Sequence, residues 1–200
     1  MKKQIIAAVV LCTLASGAVF AQQANEGPWM VRVRAVHLDS ANGGSTVPNL
    51  DLSINNKWMP EVDVSYFFNK NMAVELILTV PQKQTLSSSL VGEVGTLKHL
   101  PPTLLAQYHF NGNGFKPYVG AGINYTRFSS VNLGAGASID KSSWGPALQV
   151  GVDIPLTGNM YLNFDVKKVY ISTDVALNGN KIGNLKIDPL LVGVGLGWRF

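Results

Sequence analysis

The sequence predicts an all-β protein, an eight-stranded antiparallel transmembrane β-barrel. Three observations predict it. Eight stretches alternate between apolar and polar or small residues, the period-two signature of strands with unlike faces. Their connections alternate long and short, as in outer-membrane barrels. Aromatic residues gather at both ends of the apolar face, where a membrane meets water.

The last stretch, Leu190 to Phe200, carries the pattern most clearly. One face is Leu190, Val192, Val194, Leu196, Trp198 and Phe200; the other is Leu191, Gly193, Gly195, Gly197 and Arg199. An apolar stripe backed by glycines suits a strand with lipid outside and a crowded bore inside. At ~3.3 Å per residue and ~40° of tilt, it covers roughly 28 Å, close to the apolar band of an outer membrane. The carboxy-terminal Phe200 resembles the signal read by outer-membrane assembly machinery.

From the amino terminus, Lys2 and Lys3 precede an apolar run, Ile5 to Leu14, and Ala18-Val19-Phe20-Ala21 forms a small-x-x-small cleavage pattern. Residues 1–21 therefore read as a secretory signal peptide and 22–200 as the barrel. Cys12 lies within the apolar run and is the chain's only cysteine. Leu11 before it is too large for a lipoprotein acceptor.

The strands are expected at Trp29–His37, Trp58–Phe68, Met72–Val80, Thr96–Phe110, Phe115–Phe128, Ser142–Leu156, Met160–Thr173 and the terminal stretch. Tight turns fall at Asn69–Asn71, Asn111–Gly114 and Thr157–Asn159, and polar loops at Asp39–Lys57, Pro81–Gly95, Ser129–Lys141 and Asp174–Asn184. An even strand number with this alternation puts both termini and all the tight turns in the periplasm. Trp29, Phe68, Phe110 and Trp198 then form a lower aromatic girdle, and Trp58, Tyr125 and Trp144 an upper one. A soluble lipocalin-like barrel also has eight alternating strands, but it turns its apolar face inward around a ligand. Glycines crowd the polar face here, which favours the membrane form.

Without the signal peptide the chain carries a charge of only about +2 and has no basic run, so nucleic acid is not an expected partner. The expected partners are outer-membrane lipid, small apolar solutes and, through Phe200, the assembly machinery. No cofactor and no metal site is expected: no histidine pair has ligand spacing. An enzyme acting on lipid A at the outer rim would need a histidine with a serine or acid. His37, near Asp39 and Ser40, and His99 read instead as solvated rim histidines, and no catalytic residue is assigned. A structural or adhesive barrel without transport is the other alternative.

Two segments carry a family resemblance: Leu97-Lys98-His99-Leu100-Pro101-Pro102-Thr103 and Lys116-Pro117-Tyr118-Val119-Gly120-Ala121-Gly122-Ile123-Asn124-Tyr125. Together with Ser143-Trp144-Gly145, Gln149-Val150-Gly151-Val152-Asp153 and the Arg199-Phe200 end, they resemble the OmpW family of Gram-negative outer-membrane proteins. The resemblance implies a narrow, largely apolar channel for small hydrophobic molecules. It also implies an apolar constriction at the channel floor, at positions matching Ile77 and Lys167. Ile77 keeps that character and Lys167 departs from it.

The inward faces place Arg32, Arg34, Glu61, Asp63, Asp153 and Asp165 low in the bore as a charge network, because buried charges need partners. Ile77, Thr79, Val169 and Ile171 make the upper half apolar. Glu75 and Lys167, from opposite sides, are expected to close the floor with Ile77 as a channel gate. Finally, Pro101 and Pro102 remove ladder donors from a strand that has neighbours on both sides. Pro81 lies at the same height on the preceding strand. The three prolines mark a weakened seam at the outer membrane edge through which an apolar solute could leave sideways.

Overall fold

The structure, a computed structural model, describes residues 27–112, 114–133 and 136–200; the signal-peptide expectation lies outside them. The strands are β1 (Trp29–Asp39), β2 (Gly43–Thr46), β3 (Leu52–Ile54), β4 (Lys57–Phe67), β5 (Met72–Thr79), β6 (Gln82–Ser88), β7 (Gly92–Leu100) and β8 (Thr103–His109). They continue with β9 (Lys116–Leu133), β10 (Ala137–Ile139), β11 (Ser142–Pro155), β12 (Met160–Val169), β13 (Ser172–Leu177), β14 (Asn180–Lys186) and β15 (Leu190–Arg199).

Eight of them close an antiparallel barrel in the order β1, β4, β5, β8, β9, β11, β12, β15. The alternating pattern dictates this closure, because every strand can bury its small or polar face only if the sheet curls onto itself. Closure also leaves no barrel edge unpaired. The last strand zips to the first from Met30↔Arg199 to Asp39↔Leu190. The apolar stripe of β15 faces outward with the matching stripes of β5 (Leu76, Leu78) and β11 (Leu148, Val150), all more than a third exposed. An apolar surface this continuous requires lipid against it. Trp58 and Trp144 stand at its upper rim, and Trp29 and Phe68 at its lower rim. Tyr125 packs on Trp144 with ring centroids 4.7 Å apart.

The expected loops are mostly strands. β6 and β7 form a hairpin that continues β5 and β8 upward, with β3 on one side and the long upper part of β9 on the other. β13 and β14 form a second hairpin, flanked by β10 and β2. These segments are rich in Gly, Ser and Asn because they stand in water, and that composition hides a real alternation. Gln82, Gln84, Leu86 and Ser88 point inward between the outward Lys83, Thr85 and Ser87. Two long strands expected to be continuous are divided: Thr96–Phe110 breaks at Pro101-Pro102, and Met160–Thr173 at Tyr170-Ile171.

Inward glycines let strands and rings approach closely. A Cβ on Gly151 would lie 2.4 Å from the Tyr118 ring, which lies across the bore there. A Cβ on Gly122 would lie 1.9 Å from the Leu104 carbonyl oxygen of β8. Gly122→Val is therefore expected to force β8 and β9 apart, at a cost of about 1–3 kcal/mol. The check is a lower midpoint for the heat-induced mobility change on a gel; an unchanged midpoint contradicts it.

Candidate functional site

The bore is layered. Lowest is a small apolar cluster of Met30, Phe67, Ala73 and Tyr161. The Arg199 guanidinium caps the Phe67 ring at 3.8 Å, and the His109 ring lies 4.7 Å from Phe67 and 4.9 Å from Tyr118.

Above this lies the charged layer. Arg32 reaches four partners from β1. Its Nε and Nη2 donate to Asp153 at 3.1 and 2.7 Å, and its Nη1 donates to Asp63 at 3.1 Å and Glu75 at 3.4 Å. Ser65 Oγ accepts from the same Nη1 at 2.9 Å. One turn of the pleat higher, Arg34 donates to Asn163 at 2.6 Å, Glu61 at 2.9 Å and Glu75 at 3.2 Å. Its Nη1 also forms an ion pair with Asp63 Oδ2 at 2.7 Å. Lys167 donates to Glu61 at 2.8 Å and to Asp165. Gln107, Gln149, Tyr118 and Asn163 fill the remaining acceptor positions of Glu75, Asp165 and Asp153. Three cations, Arg32, Arg34 and Lys167, thus hold five carboxylates, Glu61, Asp63, Glu75, Asp153 and Asp165, while Lys116 lies over the Tyr161 ring. Charges out of water persist only when matched and hydrogen-bonded in this way. Arg32, Arg34, Tyr118 and Lys167 are fully buried, so side chains fill the bore at this level.

Glu75 and Lys167 belong to this cluster but do not meet as a direct pair. Lys167 is held by Glu61 and Asp165, while Glu75 lies lower and is held by both arginines and two glutamines. The reason is register: Glu61, on the neighbouring strand, stands across from Thr79, two inward-facing pairs above Ser65↔Glu75, with Asp63↔Ile77 between them. It therefore reaches Lys167 first.

Above the charges the bore turns apolar. Leu38, Met59, Ile77, Val169, Ile171 and Leu191 line a cavity, with Glu61 and Lys167 beneath it and Thr79, His99, Pro101 and Pro189 around its upper wall. It offers about 10 Å³ to the centre of a water-sized sphere, room for one water. Larger occupants require these side chains to part.

The wall beside this cavity is unevenly paired. Between β5 and β8 the ladder stops at Ile77↔Thr103, and it resumes above at Gln82↔His99 between β6 and β7. Residues 78–81 face 100–102 with no pair between them, four against three. Pro102 spends its carbonyl on the Tyr125 N–H of β9 at 3.0 Å. Alternate residues of a strand address opposite neighbours, so the donor that Pro101 lacks is the one owed to β5. The Pro101 carbonyl accepts from its neighbour Thr103 instead. Thr79 and Pro101 line both the gap and the cavity. On the far side, the break at Tyr170-Ile171 is closed: Ile171 N–H donates to Asp188 Oδ1 at 2.8 Å, and Ile187 N–H to the Ile171 carbonyl at 2.9 Å.

Of the two rim histidines, His99 differs from expectation. His99 is 1% exposed, because its strand continues above the membrane as a paired hairpin that turns it into the cavity. Burial and the neighbouring Lys57 push its imidazole down to about 4. The His37 ring lies against Trp58 at 5.1 Å, and Asp39 accepts from Asn56. His109 meets the Gln107 side-chain oxygen at 3.1 Å. Sequence reasoning passed over the bridging roles of Gln107, Gln149, Asn163 and Tyr118, although all four lie on inward positions of the alternation.

The sequence profile of the OmpW family matches residues 25–200. The chain belongs to the OmpW family. It is 34% identical over 217 residues to outer membrane protein W of Escherichia coli, each chain being covered completely. It is 31% identical to the dibenzothiophene metabolism operon protein PahQ of Pseudomonas aeruginosa, over 88% of this chain and 90% of that one. The crystal structure of the outer membrane protein OprG from Pseudomonas aeruginosa superposes with a TM-score of 0.77 at 27% identity, covering 90% of this chain and 99% of that one. The protein is thus an outer-membrane barrel of a Gram-negative bacterium.

Proposed function

We propose that this OmpW-family barrel passes small apolar molecules across the outer leaflet and releases them sideways through the gap between β5 and β8. The observation that carries this reading is the coincidence of the unpaired wall segment with the apolar cavity at Thr79 and Pro101. Downward passage would take an apolar solute through matched charges that it could not solvate. Sideways passage breaks no backbone hydrogen bond at residues 78–81, and it ends in lipid. The relative PahQ is named for a dibenzothiophene metabolism operon, and dibenzothiophene is an apolar aromatic, which supports the same solute class. In this reading residues 1–21 are a cleaved signal peptide, both termini are periplasmic, Phe200 is read by the assembly machinery, and the barrel is not an enzyme.

Glu75, Ile77 and Lys167 serve as the gate: Ile77 and Lys167 form the cavity floor, and Glu75 anchors the layer below. Lys167→Ala is expected to give a small rise in single-channel conductance, because Arg32, Arg34 and Tyr118 still fill the bore beneath it. Unchanged conductance would remove Lys167 from the gate. A second reading, a structural or adhesive barrel, draws on that filled bore and on the extracellular hairpins. Uptake of a panel of small apolar compounds by intact cells, with and without the barrel, separates the two. Equal uptake would leave only the scaffold.

A further inference from the structure

Three buried polar atoms surround the otherwise apolar cavity without a partner: both ring nitrogens of His99 and the Oγ1 of Thr79. A buried polar atom without a partner is costly, and native proteins carry few such atoms. Here three share one cavity with room for one water. The charges beneath supply none of the missing bonds, because Glu61 and Lys167 hold each other at 2.8 Å. Lys57 does not supply them either: its ammonium donates to the Lys83 carbonyl at 3.3 Å.

We propose that His99 and Thr79 bind the single uncharged oxygen, hydroxyl or carbonyl, of an otherwise apolar solute, so that the cavity selects oxygenated apolar molecules over plain hydrocarbons. The chemistry matches on both sides. A neutral imidazole offers one N–H donor and one nitrogen acceptor, and a threonine hydroxyl can do either. A solute hydroxyl both donates and accepts, and a carbonyl accepts from either residue. A carboxylate is disfavoured, because it would shed its hydration in a cavity whose nearest cations are already engaged. The apolar body of the solute lies along Leu38, Ile77, Val169 and Leu191, which must part to admit it. The His99 and Thr79 side of the cavity is also the side of the unpaired wall, so the solute's head would be held at the gap while its tail is still in the funnel.

This inference rests on the reading of the cavity as the solute's path, so its test reads binding and not transport. The barrel in lipid nanodiscs, labelled with ¹⁵N at its three histidines, is titrated with octan-1-ol and with octane at matched mole fractions in the lipid. The His99 ring nitrogens are expected to shift saturably with the alcohol and not with octane. Thr79→Val, nearly isosteric, is expected to weaken the alcohol's effect about tenfold, the equivalent of one hydrogen bond. Equal responses to alcohol and alkane, an unchanged affinity in Thr79→Val, or no shift at all overturns the proposal and leaves a bridging water as the occupant. A saturable shift in a barrel that supports no uptake in cells would keep the site and sink the channel. Uptake without a shift would do the reverse.

Discussion

Arg32→Met is expected to destabilise the barrel by about 3–5 kcal/mol, the cost of breaking a buried ion pair from one side. Arg32 has no exposed surface, and its guanidinium is the common partner of Asp153, Asp63 and Glu75. Methionine keeps an unbranched apolar stem and none of the donors. Three carboxylates would then face one another with Arg34, two glutamines and Asn163 left between them. Arg32→Lys keeps the charge but cannot make the two-pronged contact of Nε and Nη2 with Asp153, so an intermediate loss is expected. Urea titrations in lipid, followed by the folded band on a gel, rank the three proteins. A Met variant as stable as wild type would show that the network is not what holds the lower bore closed.

Pro101→Val is expected to lower uptake of apolar solutes about tenfold while raising stability slightly. Valine returns the N–H owed to β5 and suits a strand. The ladder could then continue above Ile77↔Thr103 and draw β5 and β8 together across the cavity's wall. Pro102→Val is the control. The Pro102 carbonyl already serves β9 through Tyr125, so its restored donor falls on that side, and little change in uptake is expected. Equal effects of the two substitutions would mean that the prolines matter only as loop ends.

Much of this was legible in the sequence, because a membrane imposes a strict pattern. The alternation in Leu190–Phe200 gives strand, register and outward face at once, since a slip of one residue would put Arg199 into lipid. The lumen charges follow from the same alternation. Their pairing does not: which carboxylate takes Lys167 depends on strand tilt and stagger across the bore, and no local pattern encodes these. The upper hairpins were hidden for another reason. Above the membrane both faces of a strand can be polar, so Gln82–Ser88 reads as loop although its inward residues are buried. His99 reads as solvated for the same reason. A histidine beside two prolines at the end of a strand looks solvated until the hairpin above it is known to close over the cavity.

The central claim is that solute leaves through the wall between β5 and β8. Val80→Cys with Leu100→Cys places a removable link across the upper part of the unpaired segment, in a chain whose only cysteine, Cys12, precedes the described residues. Uptake of a small apolar compound by cells expressing this variant is the decisive measurement, made oxidised and then reduced, with cross-linking and folding followed on the same gel. Uptake is expected to fall to background in the oxidised, folded barrel and to return on reduction. Full uptake through a barrel that is cross-linked and folded would contradict the lateral route.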